Sequence, residues 1–539
     1  MVDNRIFRLA KYYVDLLKNV KQTSSQPGGN KITHSPFFTS LNLWKTTHEQ
    51  NLEIANGCTK KWIENSKIIP LKGRVEMRIG DAKKGGSVKW KDVYLARDLH
   101  EESWDREIKS EATDLFWECA GDLESRFSKT MGKKKKKEQY LYFASASPQK
   151  FIQDEKEFSI DMEKLENDMR RASQELKRSW LKDVEFSFRA LRKEKYFINS
   201  EDSQIFTNEL QYKMIIEVKA QDKDNFLIPH YSVINGKDFS QIPSFEDMMR
   251  RGNILVEELE EILKAPLEKN GAFTSILDGE NTGVIMHEAV GHGLEAHRLY
   301  GEGSWLDTKN TLFKDKIGKK IAPDFLTLHD DPTREFFNDI PINGHYLFDD
   351  EGTPSRKVTL FENGVLKEYL HTRESAGFKN IESNGHCRSD QDNPPCSRMG
   401  ILFLESSNAV PFAELKRSLR KELVKRNKPY GLVFNKTSGG LVLPEESFYN
   451  TYPANVFRIY QNGKMQRVRG VYVVGTPYQT LNNILQTSDE LGLFNGFCGA
   501  ESGTIPCSEI APASLVKSVE INQIPRESCY EEVSKNIFD

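Results

Sequence analysis

The sequence predicts an α+β protein, with a mixed α/β N-terminal half and a β-rich C-terminal half that carries a kinked metal-binding helix. Three observations point there. Apolar residues recur at helical spacing on both sides of residue 240. Asn-Gly dipeptides separate strand-like runs beyond residue 350. Two histidines and a glutamate interrupt an apolar segment near residue 290. At 539 residues the chain exceeds one typical domain. We read a divergent N-terminal region at 1–150, the α/β remainder of the N-terminal half at 151–240, and a C-terminal domain at 241–539.

Taken in order, a short helix spans Phe7 to about Val20. The stretch Thr23 to Asn30, rich in Ser, Pro and Gly, breaks it off as a loop. Gly132 followed by Lys133 to Lys137 makes a second break; with no aromatics interleaved, it reads as a solvated loop. From Asp161, Met162, Leu165, Met169, Ala172 and Leu176 form one helical stripe. Tyr196–Ile198 and Met214–Val218 read as strands, and Pro229 to Pro243 as a loop-rich boundary. Ser244 caps a helix carrying Phe245, Met248, Leu255, Leu259 and Ile262, which stops at Ala265-Pro266 because proline lacks the amide proton. Thr274–Leu277 reads as a strand, Asp278 to Asn281 as a turn, and Gly283 to His297 as a buried helix. Asn363-Gly364 and Asn462-Gly463 each suit a type I′ hairpin turn.

The composition is that of a globular protein, 38% apolar and 29% charged. A net charge of −3 gives no electrostatic ground for direct nucleic-acid binding. The seven scattered cysteines fit free thiols in a reducing compartment. With no apolar run of spanning length and no secretory h-region, the expectation is a cytoplasmic chain without a membrane partner.

The chemistry concentrates at His287, Glu288 and His292. Zinc takes neutral imidazoles, and a neighbouring carboxylate then serves as general base toward the water that the ion activates. Peptidase helices usually space the two histidines four apart, on one face. Here the spacing is five. On a regular helix that turns the second ring about 140° from the first. Chelation therefore requires a π-bulge or kink between Ala289 and His292, eased by Gly291. The alternative is two core histidines satisfied by backbone carbonyls.

The segment Gly283-Val284-Ile285-Met286-His287-Glu288-Ala289-Val290-Gly291-His292-Gly293-Leu294-Glu295 resembles the active-site helix of the TldD/PmbA family of metallopeptidases. Asp349–Gly352, Leu360–Lys367, Asn384–Arg388, Arg398-Met399, Tyr460–Lys464 and Gly496–Gly499 resemble further family segments in the same order. The resemblance runs from Phe245 to Ile521. It implies a zinc-dependent peptidase acting on short or unfolded peptides, with Glu288 as base and a third ligand at Cys498, from the family's Cys-Gly segment. His297 and Cys507 are other candidates for that ligand. Glu295 is either an orienting group for an imidazole or an exposed helix residue. Arg388 and Arg398 are either peptide-carboxylate binders or structural ion pairs. His386, Cys387 and Cys396 suggest a second cluster, but read better as a loop with incidental thiols. The resemblance also implies a homodimer or a heterodimer with a TldE-like paralogue, and an active site opening into an internal cavity. The rival readings are a non-catalytic TldE-like regulatory subunit, or a structural zinc site closed by a fourth ligand such as His297.

Overall fold

Alternating side chains build two large sheets, and the way the sheets dock positions the histidine segment. The computed structural model describes residues 3–25, 31–64, 71–82, 85–130, 142–299, 311–443 and 448–525. Among the described residues the N-terminal sheet runs in the order Leu227–Gly236, Gln204–Gln221, Leu181–Asn199, Pro36–Ala55, Leu71–Asp81, Gly85–Leu95 along an antiparallel path, with Cys58–Glu64 antiparallel to Pro36–Ala55 and the short Lys150–Ile152 parallel to Gln204–Gln221. Its strands are long because strict alternation persists. In Leu71–Asp81, Val75, Met77 and Ile79 face a helical layer, and Lys72, Arg74, Glu76 and Arg78 take the other face. In Pro36–Ala55 a bulge between Thr46 and His48 shifts the inward set from Leu41 and Leu43 to Leu52 and Ile54. Helices Asn4–Lys18 and Glu101–Thr130 cover one end of the apolar face; Met162–Glu175 and Phe245–Lys264 cover the other.

Along Leu71–Asp81 the second face of this sheet is charged and buried against the C-terminal half. Arg78 meets Glu351 at 3.7 Å and Glu374 at 3.2 Å, and Arg373 meets Glu201 at 2.8 Å. Lys195 pairs with Asp350, and Arg74 donates to the carbonyl of Asn393.

Among the described residues the C-terminal sheet has 12 strands. Five of them, Gly271–Leu277, Tyr430–Leu443, Phe448–Tyr460, Val471–Gly475 and Gly503–Gln523, pair in a closed ring. The strand Gly271–Leu277 sends Ile276 toward helix Phe412–Lys425 and Leu277 toward the histidine segment. A long hairpin, Ile484–Ala500 with Gly503–Gln523, crosses that segment.

The fold class is the one expected, and several local readings need correction. Thr23–Ser25 is not loop but part of the strand Gln22–Ser25, paired with Lys31–His34. Pro229 to Gly236 is not loop-rich; it belongs to the edge strand Leu227–Gly236, whose proline and small polar residues suit an edge. Gly279 to Asn281 already form the first helical turn, because Asp278 caps it with a hydrogen bond from the Asn281 amide. Asn363-Gly364 has the two positive φ values of a type I′ turn, 48° and 74°. At Asn462-Gly463 only the glycine is positive, so that turn is of another type. Gln26 to Asn30, Lys133 to Lys137 and Cys529 lie outside the described residues. The six described cysteines are free thiols. Among the described residues no helix is long and apolar enough to cross a membrane.

Candidate metal centre

The helix Gly279–Met286 begins as a regular α-helix and changes pitch where the sequence spacing demands it. His287–Gly291 forms a π-helical turn, followed by a 3₁₀ turn at His292–Leu294. The wider turn absorbs the fifth residue and swings His292 back beside His287: the ring centroids lie 4.8 Å apart at 86°. Gly291 permits this, since an added Cβ would stand 1.9 Å from the Met399 sulfur.

Cys498, near the end of the strand Ile484–Ala500, completes the group. Its Sγ is 3.4 Å from His292 Nε2, and the ligand atoms of His287, His292 and Cys498 all lie within 4.8 Å of one another. Each imidazole is held from behind by a carboxylate. His287 Nδ1 is 2.7 Å from Glu509 Oε1, and His292 Nδ1 is 3.0 Å from Glu295 Oε2. Such a carboxylate keeps the proton on Nδ1 and leaves Nε2 as the electron-pair donor. Arg298 Nε, 3.1 Å from Glu295 Oε2, fixes that carboxylate in turn.

The electrostatics suit a cation. Burial disfavours charge on both histidines, yet their pKa values are raised. For His287 the cause is the Cys498 thiolate and Glu509; for His292, which reaches about 9, it is Glu295 and Cys498. Burial raises the Cys498 thiol, but Arg398, His292 and His287 outweigh it and hold the pKa well below its usual value. One thiolate with two imidazoles is a zinc donor set. Glu288 stands beside the group, Oε2 4.0 Å from His292 Nε2. Burial pushes its carboxyl up to about 7, against the pull of both imidazoles.

The other candidate residues fall elsewhere. Glu295 is fully buried on His292, so it is no exposed helix residue. Arg398 is 1% exposed and donates to the carbonyl of Cys498 (2.6 Å), the carbonyl of Gly503 and Ser502 Oγ. It pins the thiolate-bearing hairpin and is closed to a peptide carboxylate. Arg388 stacks on Tyr346 and faces Asp350 at 3.8 Å, away from the metal group. His297 groups with Cys396 and Glu501, not with His292. Cys507 lies on the strand Gly503–Gln523, not in a turn, and groups with His287 and Glu509. His386 is 3.2 Å from Asp330, a structural pairing in the core. Glu509 is the functional residue that motif reading passes over. Its signal is a lone carboxylate in the otherwise apolar and small-residue run Ile505 to Val516.

A cavity of 1210 Å³ is lined as far as Phe497, the residue before Cys498. The edge strand, through Ile228 to Asn235, forms one wall; Lys436–Ser438, Asn450 and Leu493–Phe497 form the opposite one. Glu288 packs on Gly440, whose other neighbour, Asn450, lines that cavity: a Cβ at Gly440 would stand 2.7 Å from Glu288 Cγ and 3.0 Å from the Asn450 carbonyl oxygen.

Residues 270–523 match the family model of the PmbA/TldA metallopeptidase C-terminal domain. A metalloprotease of Methanothermobacter thermautotrophicus is 29% identical over 325 residues, 60% of this chain and 66% of that protein. A zinc metalloprotease TldD homolog of Saccharolobus solfataricus is 26% identical over 331 residues, 61% of this chain and 68% of its own. The chain thus spans about two-thirds of the length of these two relatives, and 50% of a third, a metalloprotease of Methanocaldococcus jannaschii. The crystal structure of TldE from Thermococcus kodakarensis superposes with a TM-score of 0.61 at 15% identity, covering 96% of this chain and all of that one. That likeness establishes a shared fold.

Proposed function

We propose that this chain, a member of the TldD/PmbA family by its residues 270–523, is a zinc-dependent peptidase that hydrolyses short or unfolded peptides. One observation carries the reading: Cys498, 206 residues away from His292 in sequence, stands 3.4 Å from its Nε2 with Glu288 alongside. His287, His292 and Cys498 would hold the ion. When bound, zinc supplies the Lewis acidity that makes water nucleophilic near neutral pH and polarises the scissile carbonyl. Glu288 takes the proton of the attacking water and passes it to the departing amine; a carboxyl near 7 is matched to both transfers. Glu509 and Glu295 keep the two imidazoles oriented, and Arg398 holds the Cys498 backbone. A cavity of this size between two sheets admits an extended chain and rejects a folded domain. The outer edge of Leu227–Gly236 borders it, and a peptide added there as a strand would be held by its main chain with loose sequence preference.

The second reading, a TldE-like regulatory subunit, draws on the fold likeness to TldE; a scaffold has no use for three convergent ligands and a buried base. Closure of a structural site by His297 is disfavoured, since its partners are Cys396 and Glu501. In the proposal the working unit is a cytoplasmic homodimer or a heterodimer with a TldE-like paralogue. The test is zinc analysis of the purified protein and of Cys498→Ser, with a peptide-library digest by the parent and by Glu288→Gln. Zinc bound by parent and Glu288→Gln, lost from Cys498→Ser, and cleavage by the parent alone are expected. A zinc-loaded parent that cuts no peptide, alone or with a TldE-like partner, sinks the reading.

A further inference from the structure

We infer that Glu280 is a specificity-determining residue, a carboxylate that receives a cationic group of the peptide about three residues from the bond cut. The inference rests on the peptidase reading above and deepens it by naming a substrate class. Among the described residues the cavity is lined by two acidic side chains, Asp222 and Glu280. Asp222 is already committed, with its Oδ2 3.1 Å from Arg469 and its Oδ1 accepting the amides of Asp224 and Phe226. The Thr437 amide lies near Glu280 and favours its charged form, and Glu280 forms no ion pair within 4 Å among the described residues. The nearest cation acting on it, Lys436, leans toward Glu258 at 3.7 Å. The Asp278 carboxylate adds negative potential, while its oxygens are occupied by the amides of Asn281 and Lys436. Burial, then Asp278, push the Glu280 carboxyl up to about 7, as expected of a half-desolvated anion short of a counter-ion.

Position supplies the distance. Glu280 lies on the helix Gly279–Met286 and His287 directly follows it, seven residues on; at helical rise that is about 10.5 Å along the axis and about 20° around it. The wall between them is continuous: Asn450 lines the cavity and packs on Gly440, which packs on Glu288. An extended peptide advances about 3.3 Å per residue, so the separation is about three residues. A lysine, an arginine or the peptide's own α-ammonium has the required chemistry.

The test uses zinc-loaded protein carrying Glu288→Gln, so that binding is read without cleavage. Fluorescein-labelled alanine–glycine decapeptides carry one lysine, walked along the chain, each matched by a norleucine peptide; free and acetylated N-termini separate the α-ammonium from the side chain. One cationic position is expected to bind about 10-fold more tightly than its neutral match. Adding Glu280→Gln, which keeps the side-chain shape and removes the charge, should bring that ratio to about 1, and Glu280→Lys should transfer the preference to glutamate. Equal binding of charged and neutral peptides at every position, or a preference that survives Glu280→Gln, overturns the inference. A parallel digest with Glu288 intact separates the two claims. No cleavage of any peptide there removes the peptidase reading, while the binding ratio still decides the role of Glu280.

Discussion

Replacing Gly440 by alanine tests the placement of the general base without touching a metal ligand. The new Cβ would stand 2.7 Å from Glu288 Cγ and 2.8 Å from Oε1, with the Asn450 carbonyl oxygen at 3.0 Å closing the other side. Ordinary carbon contacts begin at about 3.5 Å, so the carboxylate must retreat by about 1 Å. A shift of that size at a reacting group costs about 100-fold in rate. The φ at Gly440 is not in the left-handed region, so the backbone accepts alanine. We expect kcat/KM on a cleaved peptide to fall about 100-fold, with zinc content unchanged and the melting temperature within a few degrees of the parent. Glu288→Gln should fall further, by 10² to 10⁴, the usual range for removing a general base. A Gly440→Ala protein that keeps its activity within about threefold would refute the assignment of Glu288 as base. Loss of zinc together with activity would refute the claimed separation between base and ligands.

Other perturbations read other layers of the centre. Glu509→Gln leaves all three ligands in place but weakens the hold on His287, so zinc affinity should fall about 10–100-fold in a competitive chelator titration. Arg398→Ala leaves the carbonyls of Cys498 and Gly503 and Ser502 Oγ without their buried donor, and leaves Glu295 with Arg298 as its arginine partner. It should destabilise the fold by about 3–5 kcal/mol in denaturant unfolding. His371 is buried and its pKa is pushed down to about 3 by desolvation, then by His386 and Lys379. A histidine whose folded pKa is depressed contributes fully above its unfolded pKa of about 6.5 and loses that contribution as pH falls toward its folded value. The stability gap between the parent and His371→Gln should therefore narrow by about 2 kcal/mol between pH 7 and pH 5.

What the sequence disclosed follows the reach of each physical signal. Helices with a capping residue and a one-sided stripe, such as Phe245–Lys264 behind Ser244, are local and were legible to within a residue or two. So was the departure from α geometry at His287–Gly291, because a five-residue spacing and shared coordination conflict on a regular helix. The proximity of Cys498 was not legible from local pattern; it depends on the register of a long hairpin and came from family resemblance. The strands were underestimated. Tyr196–Ile198 is the end of a 19-residue strand whose preceding residues alternate charge with apolar side chains, and its charged face stays half-exposed, with Lys195 pairing to Asp350 of the other half. The edge strand Leu227–Gly236 was hidden by Pro229 and Asn235, which an edge tolerates. The charged residues at 388 and 398 could not be told apart by type: Arg398 is sealed under the Cys498 hairpin, and Arg388 stacks on Tyr346.

The ionic seam between the two sheets ties their fates together. Arg78 is buried against Glu76 of its own strand and Glu351 and Glu374 of the opposite half, and Arg373 against Glu201 of the other half, so neither half can be expressed alone without stranding charge at a freshly opened surface. Chimeras that graft a relative's first half onto this second half inherit the same problem. They should assemble only when the arginine and glutamate positions along the seam are transplanted as a set.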